Sequence, residues 1–168
     1  IEELSDLFDH FDRVMTECGC ERIETIGDAY LAAAGLDSED ADDRRKRENA
    51  ERMDRAALAI RDYLAERNER AREIGGPIFV ARIGIQCGPI IGGIVGRDRI
   101  RYGVFGDAVN TAQRLEAACE PGEILVSESV DALLDAAQAD GAFAVEERGT
   151  IDAKGNGPMR VWTLGPAT

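Results

Sequence analysis

The chain has 168 residues, and a hydrophobic fraction of 44% is enough to bury one sizeable core, so we predict a single domain. The formal net charge of -13 argues against a nucleic-acid surface, because binding to phosphates requires clustered Lys and Arg side chains. No stretch approaches the roughly 18 apolar residues of a membrane span, and we therefore expect no direct membrane contact from this segment.

The four cysteines form no recognisable metal or disulfide pattern. Cys18, Cys20, Cys87 and Cys119 have neither zinc-ligand spacing nor the density of a disulfide scaffold. We therefore predict reduced thiols, as is typical of the cytoplasm. A metal site formed by Cys18 and Cys20 is a less favoured alternative. The single histidine, His10, lies among polar residues and is predicted to be solvated.

The chain begins with a predicted helix that leads into a predicted hairpin. Apolar residues recur at three- and four-residue intervals over 1–18, which is typical of an amphipathic helix. Residues 22–26 and 29–33 are strand-like. Only Gly27 and Asp28 separate them, and a two-residue link that begins with Gly predicts a tight hairpin.

The middle of the chain predicts a loop, a helix and three strands. Residues 37–55 are almost wholly charged and predict a solvated loop, because their mixed signs create no strong local field. Helical periodicity returns over 56–71. The β-branched, alternating runs 78–87, 89–95 and 99–105 then predict three successive strands in a meander.

The C-terminal part of the chain alternates between predicted helices and strands. Asp107 is the predicted N-cap of a helix over 108–119. The remaining predicted elements are a strand over 123–126, a helix over 129–137 capped by Ser127, and strands over 143–151 and 159–164. The complete order predicts an α+β fold in which an antiparallel or mixed sheet carries helices on one side.

Five short blocks, taken in order, carry a family resemblance. They are Glu24-Thr25-Ile26-Gly27-Asp28-Ala29-Tyr30, Arg82-Ile83-Gly84-Ile85, Gly88-Pro89, the run from Tyr102 to Arg114, and Lys154-Gly155-Asn156-Gly157. Over nearly the whole chain they resemble class III adenylyl and guanylyl cyclases, and the ordered set is far more specific than any single block. The resemblance implies a ferredoxin-like palm that converts a purine nucleoside triphosphate into a 3′,5′-cyclic monophosphate and pyrophosphate.

The resemblance also implies two Mg²⁺ or Mn²⁺ ions per site, and sites shared between the two copies of a homodimer. Asp28 lies at the tip of the predicted hairpin, where its carboxylate can reach a metal ion, although Asp is also a common turn residue. The resemblance makes Asp28 the second metal-binding aspartate. The first belongs to a Phe-Ala-Asp-Ile-like strand that residues 1–168 do not contain, so we expect a cyclase homology domain lacking this strand.

Asn110 and Arg114 lie four residues apart in a predicted helix and so share one face. A pair of ordinary surface residues would show the same spacing. The resemblance assigns Asn110 to orienting the ribose and Arg114 to stabilising charge in the transition state, and it makes Lys154 a contact for the triphosphate. Asn156 stands where family members commonly carry a second basic residue.

Two positions bear on the purine base. Guanine presents two adjacent donors, N1–H and the 2-amino group, and an ionised carboxylate can accept from both. By resemblance, Glu24 occupies the position of a lysine in adenylyl cyclases, and Gly103 occupies that of an aspartate, which is a cysteine in many guanylyl cyclases. The alternative interpretation of Glu24 is a solvent-facing carboxylate on a strand.

These residues together predict a cytoplasmic guanylyl cyclase, in which the 3′-hydroxyl of GTP attacks the α-phosphate in line with the departing pyrophosphate. An adenylyl cyclase acting on ATP, and an inactive pseudo-cyclase that only binds nucleotide or dimerises, are the alternatives. Because the net charge is -13, an anionic nucleotide also requires a local basic pocket.

Overall fold

The computed structural model describes residues 2–37, 41–96, 101–134, 143–153 and 157–166. The helices in these ranges are α1 (Glu2–Cys18), α2 (Asp43–Ile74), α3 (Asp107–Ala118) and α4 (Glu128–Leu134). The strands are β1 (Glu21–Ile26), β2 (Ala29–Ala33), β3 (Ile83–Ile85), β4 (Ile91–Val95), β5 (Arg101–Phe105), β6 (Ile124–Ser127), β7 (Phe143–Ala153) and β8 (Gly157–Pro166). No helix in the described ranges combines the length and the apolar character that crossing a membrane requires.

The largest sheet is a mixed, four-stranded one with strand order β3-β6-β8-β7. β3 runs parallel to β6, whereas β8 pairs antiparallel with both β6 and β7. β1 pairs antiparallel with β2, and β4 with β5, and within the described residues each pair is a separate two-stranded sheet. The predicted combination of helices with a mixed sheet is therefore confirmed.

Helices cover both faces of the four-stranded sheet, and in this detail the predicted one-sided arrangement is wrong. Successive side chains of a strand point to opposite faces, and all four residues of β6 are buried. Ile124 and Val126 pack with residues of α2 and α4. Leu125 packs with Leu115 of α3. A strand that is apolar on both faces needs cover on both, and α3 supplies the second layer.

α3 packs directly against β3 at Gly84. A Cβ atom on Gly84 would clash with the backbone of Ala112 and of Glu116 and would lie 2.8 Å from the Cβ of Leu115. Only a glycine allows two backbones to approach so closely. This contact holds α3, which carries two of the predicted site residues, against the edge of the sheet.

α1 and α2 form a second core with the β1–β2 hairpin. α1 is amphipathic, as predicted, and its apolar stripe packs on α2. Its buried side chains are Leu7, Phe11, Val14 and Met15. The ring of His10 stacks on that of Tyr63, with centroids 3.5 Å apart. His10 is therefore partly covered by α2, which corrects the prediction of a fully solvated side chain.

α2 includes most of the segment 37–55, which the sequence predicted to be a loop. Asp42 caps the helix, and its carboxylate accepts a hydrogen bond from the backbone N–H of Arg45 (2.8 Å). Arg44 and Glu48 form an i,i+4 ion pair with an N–O distance of 3.0 Å. Opposite charges one turn apart stabilise a helix, so a charged run of mixed sign is compatible with a solvated helical face.

The predicted meander over 78–105 is wrong, since among the described residues of this region only β4 and β5 pair with each other. The backbone N–H of Ile83 donates to the carbonyl of Glu123 (3.1 Å), and the N–H of Gly122 donates to the carbonyl of Ala81 (2.9 Å). β3 therefore directs its backbone hydrogen bonds to β6 and the turn before it. Such pairing of distant segments leaves no trace in the local residue pattern.

The two predicted helix caps also differ from the structure. Asp107 is the first helical residue of α3, and Gly106, with a φ of 143°, precedes it as an N-cap without a side-chain hydrogen bond. Ser127 ends β6 directly before α4, and its hydroxyl bonds that of Ser129 (2.9 Å). The predicted end of this last helix, at 135–137, lies outside the described residues.

Candidate active site

The β1–β2 hairpin carries two of the predicted site residues. Ile26 pairs with Ala29, so Gly27 and Asp28 form the predicted two-residue turn. Gly27 has a φ of 63°, which a glycine adopts without strain. The side chain of Asp28 is exposed at the tip of the hairpin. Its carboxylate is therefore free of the sheet, as the turn chemistry predicted.

A β-bulge shifts the register of the hairpin immediately before Glu24. Arg22 pairs with Ala32 and Glu24 pairs with Leu31, so β1 accommodates one extra residue, Ile23. Bulges re-aim the side chains beside them. Glu24 is half-buried rather than fully exposed, which favours a binding role over that of an ordinary solvent-facing carboxylate.

Glu24 lines a pocket of about 360 Å³ between β1 and β5. The other residues that line it are Ile23, Thr25, Arg101 and Tyr102. Gly103 follows directly in β5, and the alternation of side chains places it on the same face of the strand as Arg101. The fold thus brings together the two strands that carry the positions predicted to contact the base.

Arg101 is a candidate site residue that the sequence reasoning missed. It is the cationic residue among those that line the pocket, and its guanidinium carries five N–H donors in a fixed plane. Strand alternation could have found it, because Arg101 lies two residues before Gly103 within the predicted strand 99–105. The N–H donors of Arg101 complement the acceptor oxygens of Glu24 in the same pocket.

α3 presents Asn110 and Arg114 on the predicted helix. Asn110 is exposed and Arg114 is half-buried, while Leu115 points into the core. The start of α3 packs closely on the segment between β3 and β4, since a Cβ atom on Gly106 would lie 2.9 Å from the carbonyl oxygen of Pro89. This close approach explains why two separate blocks of the sequence meet beside the N-terminus of α3.

Three of the remaining predicted residues lie in the described part of the chain, and none of them lines the Glu24 pocket. Asp28 is not among its lining residues, and neither are Asn110 and Arg114. Lys154 lies outside the described residues, together with Asn156. The chain therefore presents its base-contacting candidates on β1 and β5 and its candidate metal ligand at a hairpin tip.

Asp28 offers one carboxylate to a divalent cation. In the part of the chain that the structure describes, no three His, Cys, Asp or Glu side chains are arranged to hold a metal ion. Mg²⁺ is usually bound through one or two protein carboxylates, with water and substrate phosphates completing its shell. The exposed Asp28 fits one such ligand position, with the nucleotide supplying further oxygen ligands.

The structure adds no third ligand to Cys18 and Cys20: among the described residues, no group of three or more His, Cys, Asp or Glu side chains is placed to hold a metal ion. Cys20 is buried in the core between α1 and α2, and this burial raises the pKa of its thiol to about 11. At neutral pH this thiol is protonated and inert, as is typical of a buried structural cysteine. All four cysteines are free thiols, as predicted.

Comparison with known proteins identifies the family to which this fold and these sequence blocks belong. The family model for the adenylate and guanylate cyclase catalytic domain matches residues 1–166. The chain belongs to this cyclase family. The recognition made from the sequence blocks is therefore confirmed, and the chain is a nucleotide cyclase catalytic domain.

Two curated relatives and one solved structure show how far the similarity extends. The cyclase domain is 36% identical over 163 residues to receptor-type guanylate cyclase gcy-20 of Caenorhabditis elegans, and 37% identical over 163 residues to atrial natriuretic peptide receptor 2 of Homo sapiens. Each alignment covers 96% of this chain, which spans only 14% and 15% of the length of these relatives.

Among solved structures, the cyclase domain resembles the guanylate cyclase domain of RhGC from Catenaria anguillulae, which was determined in complex with GTP. The TM-score is 0.77 at 27% identity, and the match covers 98% of this chain and 82% of that one. The class III cyclase fold predicted from the sequence is confirmed.

Proposed function

We propose that this domain is a guanylyl cyclase that converts GTP into 3′,5′-cyclic GMP and pyrophosphate. The observation that carries the proposal is the pocket between β1 and β5 that both Glu24 and Arg101 line. The Glu24 carboxylate accepts from N1–H and the 2-amino group of guanine. Arg101 donates to O6 and N7, the two guanine acceptors that arginine commonly contacts in nucleic acids. Because Gly103 has no side chain to contribute, Arg101 supplies the donor for O6.

The residues on α3 act on the reacting part of the nucleotide. Cyclisation requires the 3′-hydroxyl to be held in line with the bond from the α-phosphorus to the departing pyrophosphate. Asn110 orients the ribose through its side-chain amide, and the Arg114 guanidinium stabilises the negative charge that develops on the phosphoryl oxygens. Lys154 contacts the triphosphate.

Asp28 is the protein ligand that this chain contributes to a pair of Mg²⁺ or Mn²⁺ ions. Bound with the triphosphate, such ions supply charge neutralisation and lower the pKa of the attacking hydroxyl. An exposed carboxylate at a hairpin tip fits this role, because it retains coordination positions for phosphate oxygens and water.

The active site is shared between two copies of the domain. Exposed apolar side chains cover the β4–β5 hairpin, and Ile91 and Ile94 are 74% and 73% exposed. The others in this hairpin are Val95, Tyr102 and Phe105. Clusters of this kind mark association surfaces, and a second copy of the chain would bury them. Asp28 of one copy then meets the base, ribose and phosphate residues of the other.

The test is a comparison of GTP and ATP turnover by the full-length protein that carries this domain. With ATP, Glu24 faces the lone pair of adenine N1, and two acceptors then oppose each other in a partly buried pocket. We expect kcat/KM for GTP to exceed that for ATP by up to about 10⁴–10⁵, the discrimination of a site built around a polar group whose partner is wrong.

Charge reversal at Glu24 tests the base contact directly. Glu24→Lys should lower GTP turnover, and adding Gly103→Asp should raise ATP turnover by supplying the acceptor that the adenine amino group needs. A Cβ atom at position 103 would lie 3.1 Å from the exposed Phe105 ring, which can move aside. Glu21→Lys, an equal charge change at an exposed position of β1, is the control. A GTP-to-ATP ratio that is the same in all variants would show that Glu24 does not contact the base.

A further inference from the structure

The β1–β2 hairpin holds both Glu24 and Asp28, yet it is a separate two-stranded sheet among the described residues. Its position relative to the rest of the domain therefore depends on side-chain contacts rather than on a continuous ladder of backbone hydrogen bonds. Two polar contacts of the hairpin converge on one carboxylate of α1, that of Asp12.

Asp12 binds both strands of the hairpin. Its Oδ1 accepts a hydrogen bond from the hydroxyl of Tyr30 in β2 at 2.7 Å. Its Oδ2 forms an ion pair with Nη1 of Arg22 in β1 at 3.0 Å. Arg22 precedes the bulge before Glu24, and Tyr30 lies two residues after Asp28. One side chain thus contacts the hairpin next to both candidate site residues.

The aromatic packing around Tyr30 supports the same contact. The Tyr30 ring lies 5.5 Å from the ring of Phe8 and 5.6 Å from that of Phe11, edge-on to the latter. Burial, together with the hydrogen bond to Asp12, raises the pKa of the Tyr30 hydroxyl, which therefore remains a proton donor at physiological pH. The hydroxyl is a polar group in an apolar cluster, and Asp12 is its acceptor.

We propose that Asp12 is a positioning residue that fixes the β1–β2 hairpin against α1 and thereby sets Glu24 and Asp28 for base and metal binding, an inference that rests on the proposed function. The contacts of Asp12 with the hairpin are to Arg22 and Tyr30 rather than to Glu24 or Asp28. It acts through Arg22 and Tyr30, so its loss should loosen the hairpin as a unit.

Two variants and one control test the inference in the full-length protein. Tyr30→Phe removes the hydroxyl and keeps the ring in its aromatic cluster, whereas Asp12→Ala removes both contacts. Tyr63→Phe is the control, because it also removes a tyrosine hydroxyl, but from a ring of α2 that stacks on His10 of α1. Hydrogen–deuterium exchange of residues 21–33 measures how firmly the hairpin is held, without requiring turnover.

We expect Tyr30→Phe to raise exchange over residues 21–33 by about tenfold, the effect of losing one charge-assisted hydrogen bond, and Asp12→Ala, which also loses the ion pair to Arg22, to raise it by at least as much. In turnover assays we expect the GTP-to-ATP ratio of kcat/KM to fall, and the Mg²⁺ concentration for half-activation to rise, each by about tenfold for the same reason. A residue that only stabilises the fold would lower the unfolding midpoint without changing base preference or metal requirement. Tyr63→Phe should leave all three readouts as in the wild type.

The exchange and turnover measurements distinguish a failure of the proposed function from a failure of the positioning role. If the wild-type protein turns over neither GTP nor ATP, the proposed function is wrong, and the exchange readout still tests whether Asp12 holds the hairpin. If the wild type is active but Tyr30→Phe and Asp12→Ala exchange over residues 21–33 at the wild-type rate, the positioning role is overturned. Unchanged base preference and metal requirement would overturn it equally, even with faster exchange. Should Asp12→Ala fail to fold, Tyr30→Phe carries the same test.

Discussion

Replacing Asp54 should change the pH dependence of stability more than any other substitution on α2. Asp54 is 0% exposed, and neither of its carboxylate oxygens has a hydrogen-bond partner among the described residues. Burial, with a smaller contribution from the negative charge of the nearby Glu51, raises the pKa of this carboxyl from 3.8 to about 7. An isolated buried carboxylate favours its neutral form because the charged form loses its hydration.

The sign follows from comparing the two states. Below about pH 4, Asp54 is protonated in both the folded and the unfolded chain and costs no ionisation free energy. Between pH 4 and pH 7 the unfolded chain releases the proton while the folded chain retains it, so stability falls as the pH rises. Above pH 7 the whole penalty is present. A shift of about 3 pKa units corresponds to about 4 kcal/mol.

The assay is urea unfolding of wild type and Asp54→Asn at several pH values from 5 to 8, followed by circular dichroism. Integrating the two pKa values over this range, we expect the wild type to lose about 2.5 kcal/mol relative to the variant. At pH 8 the variant should be more stable by about 1–3 kcal/mol, because its unpaired amide retains part of the desolvation cost.

Asp62→Asn is the matched control, since it removes one negative charge from an exposed position of the same helix. Its stability should differ from that of the wild type by an amount that does not change with pH. If wild type and Asp54→Asn give parallel curves from pH 5 to pH 8, Asp54 is ionised in the folded state, and the argument from its burial is refuted.

Two further predictions concern the shared site and the packing of α3. Asp28→Ala and Arg114→Ala should each abolish activity, and mixing the two variants should restore part of it, because one site of the mixed dimer keeps both residues; no recovery despite subunit exchange would refute the shared site. Gly84→Ala should lower the free energy of unfolding by about 1–3 kcal/mol, because its Cβ atom meets the backbone of α3. Gly93→Ala, where a Cβ atom meets nothing within 4 Å, should be nearly neutral, and equal effects of the two would contradict the packing argument.

The elements that the sequence predicted well are those specified by local pattern. The run 29–33 coincides with β2, and the run 22–26 differs from β1 by a single residue. Their two-residue turn depends only on Gly27 and Asp28, which are adjacent to both strands. A structure that closes over so short a segment can be inferred without knowing the rest of the fold.

The elements that the sequence predicted poorly depend on distant or balanced interactions. The run 37–55 has the composition of a loop, but its ion pairs and its Asp42 cap make most of it helical. β3 pairs with β6 although α3 lies between them in the sequence. The backbone of α3 also approaches that of β3 closely at Gly84, and this role of Gly84 is visible only when both backbones are in place. Local periodicity contains neither piece of information.

The same distinction applies to the candidate site. The resemblance of the ordered blocks predicted that Glu24 and Gly103 contact the base, and the structure brings their strands together. Arg101 was missed because its role follows from the contact between β1 and β5, which the sequence alone does not show. The predicted roles of Asn110, Arg114 and Lys154 remain predictions until the variants are assayed.

The acidic charge of the domain and its proposed anionic substrate are compatible because electrostatic interactions in solution are short-ranged. A net charge of -13 repels a triphosphate at a distance, but at physiological ionic strength this field decays over about 8 Å. Within that range, the sign of the few nearest side chains decides whether a nucleotide binds. Arg101 lines the same pocket as Glu24, and Arg114 lies on the helix that faces the phosphates in the proposed complex. The negative charge needs only to be arranged away from these two arginines, which makes local geometry, rather than total charge, the property that selects the substrate.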